Sequence, residues 1–242
     1  MKNQYVGDVG DYGKYSLLRF FANSGVKIGV NWYLTENDGS KDGKHTTYLK
    51  KEDNRWFDPV IFDGMQSLVY EEKRNVLAVE ELDLIPGAIY YNKQLSTTSL
   101  PWNERRAHRE QWHMDAVKAL KQVQLIFVDP DNGTINARRA SSRNAEKYTL
   151  QSEIQDYYKD GKNVVYYCQK ARRSSEKWNE KKREMLALLP DARIFTLTFH
   201  RGTQRSYIFV VHPKSAAKYE KIIDKFLTSE WSKDKKPLFE KE

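Results

Sequence analysis

The run Leu125-Ile126-Phe127-Val128, followed directly by Asp129-Pro130-Asp131-Asn132-Gly133, leaves the chain few folds to adopt. Four successive apolar residues closed by turn formers predict a strand buried on both faces, as in a parallel sheet. Pro130 cannot donate to a continuing ladder, and Asn132-Gly133 favours a turn. Asp129 and Asp131 then stand at the carboxyl edge of a core strand, where open α/β sheets bind ligands. The competing reading is turn chemistry, with Asp129 and Asn132 capping the next helix or bracing the turn.

The elements around this strand predict an α/β fold: a Rossmann-like, mostly parallel sheet with helices on both faces and a C-terminal antiparallel strand pair. Ile28 to Leu34 reads as the first core strand, Ile89 to Tyr91 as a short one, and Asn163 to Cys168 as the partner reached by a right-handed crossover. Arg193 to Phe199 and Ser206 to Val211 are joined by a short link and must run antiparallel. A motif helix spans 11–24, with Asp11 as its N-cap and Gly25 as its stop. Glycines before it suit an anion cradle or a simple cap. Asp58-Pro59 opens a helical insertion over about 58–84, with a break near Glu72. Pro101 to Val123 is a long helix whose exposed face carries Arg105, Arg106, His108, Arg109 and His113. Helices follow over 146–158, 176–189 and 216–231. Residues 1–231 form one domain, and 232–242 a charged, mobile tail.

Charge narrows the partners. The 242 residues carry a formal charge of +8, which favours an anionic partner such as nucleic acid. Arg139 in the loop after the Asp129 strand, Arg172 and Arg173 after the next strand, and Arg201 in the antiparallel link are the candidate phosphate contacts. No apolar run reaches membrane-spanning length, no secretory signal opens the chain, and Cys168 has no partner cysteine, so a cytoplasmic protein is expected.

A second acidic turn, Glu36-Asn37-Asp38-Gly39 with Asp42, follows the first strand. It matches neither the dinucleotide fingerprint nor the calcium-loop spacing. With Asp129 and Asp131, the acids Asp38 and Asp42 form a hard-oxygen set suited to Mg²⁺ or Mn²⁺, to which Glu153 could add. The expectation is that both acidic turns and Lys14 meet at one rim of the sheet.

The order of elements resembles the class I methyltransferase fold. More narrowly, the chain resembles the bacterial large-subunit ribosomal RNA adenine-N6 methyltransferase family, which opens on Gly-Asn-His-Ala-Asp-Val-Leu-Lys-His. Gly7, Asp11 and Lys14 of Gly7-Asp8-Val9-Gly10-Asp11-Tyr12-Gly13-Lys14-Tyr15 match that motif. The family's catalytic Asp-Pro-Pro-Tyr falls on Asp129-Pro130-Asp131-Asn132. The chain also resembles a large bacterial family with a Gly-Asp-x-x-Asp-Tyr-x-Lys-Tyr start and an Asp-Pro-Asp-Asn-Gly loop. The resemblance implies S-adenosylmethionine as cofactor, held near Asp11, Tyr15, Asn37 and Gly39, with Asp129, Asp131 and Lys14 at the chemistry. Two departures stand out. The glycine-rich cofactor loop is replaced by acids, and Asn132 replaces the ring that stacks the target base.

Two enzyme readings follow, with a third as binding module only. One is methyl transfer to a nucleic-acid base, Asp129 accepting the exocyclic amine. The other is a metal-dependent nuclease or phosphodiesterase using Asp129 and Asp131.

Overall fold

The structure is a computed structural model and describes all residues except 41, 170–174 and 234–236. Its frame is a mixed seven-stranded sheet. The strands are β1 (Ile28–Asn31), β2 (Ile89–Tyr91), β3 (Leu125–Val128), a separate short parallel pair β4 (Thr134–Ile135) and β5 (Thr149–Leu150), then β6 (Asn163–Gln169), β7 (Arg193–Phe199), β8 (Arg205–Val211) and β9 (Phe239–Lys241). The large sheet has the order β2-β1-β3-β6-β8-β7-β9. β2, β1, β3 and β6 are parallel, and β8, β7 and β9 close it in antiparallel register.

β3 is buried at all four positions, as its continuous apolar run requires. Leu125 and Phe127 face one core, Ile126 and Val128 the other. The first core holds α1 (Val9–Asn23), α2 (Pro59–Tyr70), α3 (Val76–Glu81) and α7 (Pro213–Leu227). The second holds α4 (Trp102–Ala119), α5 (Gln151–Lys159) and α6 (Ser175–Leu188). The chain adds β2 on one side of β1 and then returns to lay β3 on the other. That reversal splays the connections apart and opens a crevice above the carboxyl ends of β1 and β3.

Several boundaries differ from expectation for identifiable reasons. α1 begins at Val9, because Asp8 rather than Asp11 is the cap and accepts from the Gly10 amide. Gly10 and Gly13 therefore lie inside the helix, where a Cβ at Gly10 would stand 2.3 Å from Arg205 and one at Gly13 3.0 Å from the Phe199 ring. The helix N-terminus is no anion cradle: the carboxylates of Asp8 and Asp11 accept from the Gly10 and Gly7 amides. β1 stops at Asn31, and Tyr33 takes a positive φ. The break in the helical insertion falls where expected, with Glu72 left-handed between α2 and α3. On α4, Arg109 and His113 are buried rather than exposed. The charged tail is anchored, since β9 pairs with β7 and Phe239 is buried among Phe199, Phe226 and Trp231. No helix of the described residues is long and apolar enough to cross a membrane.

Candidate functional site

A cavity of about 290 Å³ sits at the crevice. The turn after β3 provides its floor through Asp129, Pro130, Asp131 and Asn132. The loop after β1 contributes Asp38, Asp42, Gly43 and His45, and α1 contributes Asp8, Gly10, Asp11 and Lys14. The two acidic turns and Lys14 thus line one cavity, although 91 residues of sequence separate Asp38 from Asp129.

Lys14 is its electrostatic centre. The Nζ lies 2.7 Å from Asp11 Oδ1 and donates to Asp129 Oδ2 at 2.6 Å, with all three side chains buried. Burial alone would lower the lysine's pKa, but the two carboxylates outweigh it and hold the ammonium well above its ordinary value. Burial pushes Asp11 up to about 6 despite Lys14, and the negative charge of Asp129 adds to the rise. Asp129 Oδ1 has no hydrogen-bond donor among the described residues, so one lone-pair face of this carboxylate remains for a ligand.

Asp131 is the second fixed charge. The Met1 amino nitrogen lies 2.8 Å from its Oδ1 and Lys2 Nζ 3.7 Å from its Oδ2. Both oxygens are buried, and neither contact has hydrogen-bond geometry. They are charge contacts, and the carboxylate is short of directed donors. Lys2 also pairs with Asp38, and that hydrogen bond holds the Asp38 carboxyl well below the usual range. Six carboxylates (Asp8, Asp11, Asp38, Asp42, Asp129, Asp131) face four side-chain cations (Lys2, Lys14, Lys147, Arg205) and the Met1 amine. The cavity therefore holds both signs of charge, with one carboxylate in excess of its cations.

Other expected site residues lie elsewhere. Tyr15 is in the core, edge-on to Trp32 with its ring 4.9 Å from Lys14 Nζ. Asn37 accepts from the Gln4 amide, and Gly39 is exposed; neither lines the cavity. Lys14 is committed to the two aspartates rather than open to a phosphate. Arg139 is exposed at the end of a 3-10 turn. Arg201 donates to Asn54 Oδ1 at 2.6 Å, away from the cavity. Arg172 and Arg173 lie outside the described residues. Glu153 is in a buried network with Arg109 and Tyr33.

Sequence reasoning missed Lys2, Arg205 and Tyr167. Arg205 reaches the cavity from β8 by lying across Gly10 and pairing with Asp8 at 2.8 Å. The only sequence signal was a glycine inside an otherwise helical pattern, which marks a close approach. Tyr167, from the carboxyl end of β6, presents an aromatic wall that Asn132 does not.

For a metal, the chemistry of the donor set decides. Among the described residues no three His, Cys, Asp or Glu side chains are grouped to hold an ion. Asp129, Asp131 and Asp38 each face an ammonium group already.

No family model and no curated protein matches the chain. Among solved structures, the chain is similar to protein LPL1258 of Legionella pneumophila, of the DUF519 family model, at 11% identity and a TM-score of 0.47, over 93% of this chain and 92% of that one.

Proposed function

We propose that the chain is an S-adenosylmethionine-dependent enzyme of Rossmann-like, methyltransferase-type architecture that methylates an exocyclic amine of a nucleic-acid base. The observation that carries the reading is Asp129: a buried carboxylate at the carboxyl end of the strand beside β1, pinned by Lys14 through one oxygen with the other left over. The reversal of strand order between β1 and β3 supports the same reading.

The cofactor's fit rests on the lining. Its ammonium and sulfonium centres would meet the carboxylates of the cavity and its own carboxylate a cation such as Lys147, while the buried oxygens of Asp131 lack directed donors. About 290 Å³ lies just below the range of roughly 300–1,000 Å³ usual for ligand pockets. When bound, the group supplies a methyl on a positively charged sulfur.

The chain's own residues do the rest. Asp129 Oδ1 would accept an N–H of the base amine, orient the nitrogen lone pair for attack and take up the proton that the nitrogen loses on methylation. Lys14 fixes the Asp129 rotamer and holds its carboxylate apart from that of Asp11. Such preorganised charge acts most strongly in a site screened from water.

The test is isothermal titration with S-adenosylmethionine, then transfer of labelled methyl to total RNA and to single-stranded DNA. Binding and transfer are expected in the wild type. Asp129→Asn should still bind the cofactor and lose roughly 10²–10³ in rate, the scale of one lost electrostatic partner. Absence of cofactor binding at millimolar concentration sinks the proposal.

A further inference from the structure

The loop from Asn132 to Leu150 is anchored at many points. β4 and β5 zip its ends, and the Asn132 amide donates to the Lys147 carbonyl at 3.0 Å. Arg109 reaches from α4 to the carbonyls of Ala145 at 2.7 Å and Tyr148 at 2.6 Å, while pairing with Glu153. Glu146 accepts from the amides of Thr97 and Thr98, both at 2.8 Å.

On this fixed frame stand Arg138, Arg139 and Arg143, all exposed. Among the described residues none of their guanidinium groups has a carboxylate or carbonyl partner. Several arginines elsewhere are engaged, Arg55 and Arg205 by carboxylates and Arg74 and Arg105 by carbonyls. Arg183 on α6 and Arg193 on β7 also lack such a partner among the described residues, but neither stands on an element that lines the cavity. The loop's single acid, Glu146, is turned inward to Thr97 and Thr98. Like charges left side by side without counter-charges do nothing for folding, so an external anion is their natural partner.

The loop also borders the cavity, whose lining includes Asn132 and Lys147. Arg143 is four residues from Lys147, so their Cα atoms are at most about 14 Å apart. The guanidinium fork matches phosphate oxygens. A membrane is the poorer partner, because the exposed large apolar side chains, such as Trp56, Val60 and Leu77, belong to other elements.

We propose that residues 132–150 form a preorganised clamp for the backbone of a single-stranded nucleic acid, with Arg138, Arg139 and Arg143 holding phosphates beside a base turned into the cavity. Its placement of the base rests on the methyl-transfer reading, whereas the phosphate contacts do not. A single strand is the favoured partner, because a base must be unstacked to enter the cavity and only a duplex adds the cost of unpairing it.

The test is anisotropy of labelled single-stranded and duplex oligonucleotides across a salt series, without adenosyl cofactor. The variants are R138E/R139E/R143E and, as control, K214E/K218E/K221E on α7, which packs against the opposite face of the sheet. The loop variant should bind single strands at least about tenfold more weakly, with the log–log salt slope reduced by about 2, at roughly 0.7 per contact. Its melting temperature should match the wild type, and the α7 variant should bind as the wild type does. Affinity unchanged within about twofold, an equal loss in the α7 variant, equally tight duplex binding, or binding to anionic vesicles alone each overturns the clamp. Unchanged oligonucleotide affinity would leave the cavity's chemistry untouched, and failure of methyl transfer would leave the clamp standing.

Discussion

At the level of single residues, Lys14 separates two buried carboxylates that would otherwise repel each other. Lys14→Met should cost about 3–5 kcal/mol, the penalty for leaving buried charge unpaired, read by urea unfolding at neutral pH. A loss under about 1 kcal/mol would mean that water already screens the pair. Asp11 gives a pH signature. Its folded pKa is raised, so its contribution to stability is complete below 3.8 and disappears as pH rises through about 6. At 1.36 kcal/mol per pH unit, that is about 3 kcal/mol. The wild type should lose this amount relative to Asp11→Asn between those pH values, and parallel profiles would refute it. Gly10→Ala places a Cβ against Arg205 and should break its pairing with Asp8. Gly25→Ala meets nothing within 4 Å but must adopt a φ of +76°. A larger melting loss at position 25 than at position 10 would show that the Arg205 contact matters little.

At the level of elements, the 132–150 loop depends on Arg109 and Glu153. Burial alone would push the Glu153 carboxyl up, but the Arg109 guanidinium holds it below the usual range. Arg109→Leu should therefore release the loop as well as destabilise the fold by about 3–5 kcal/mol. Trypsin is the direct probe: the wild type should resist cleavage at Arg138, Arg139 and Arg143 under native conditions, and the variant should be cut there. Equal resistance would show that β4 and β5 hold the loop unaided. Phe239→Ala should cost about 3–5 kcal/mol, since it opens a cavity among four rings.

At the level of the whole molecule, ligand and fold are linked. S-adenosylhomocysteine at a hundredfold over its dissociation constant should stabilise the chain by about 2.7 kcal/mol, raising the melting temperature by roughly 5–10 °C for a chain of this size. No shift at saturating concentration would count against the cavity as an adenosyl site. The main strands were legible because period and turn chemistry are local: the β3 run, the Asp-Pro break and the short link between β7 and β8 each announce themselves within ten residues. Asp129, Asp131, Asp38, Asp42 and Lys14 could be singled out as chemistry-bearing groups for the same reason. The sequence by itself determined a buried parallel core strand with acids at its end, because burial and turns depend on neighbours along the chain. Only the tertiary structure decided that Lys14 joins Asp11 to Asp129, that Arg205 lies over Gly10, and that Arg109 turns inward. The Arg205 side chain so placed pairs with Asp8, 197 positions away, and ion pairing depends on distance through space, on which local sequence pattern carries no information.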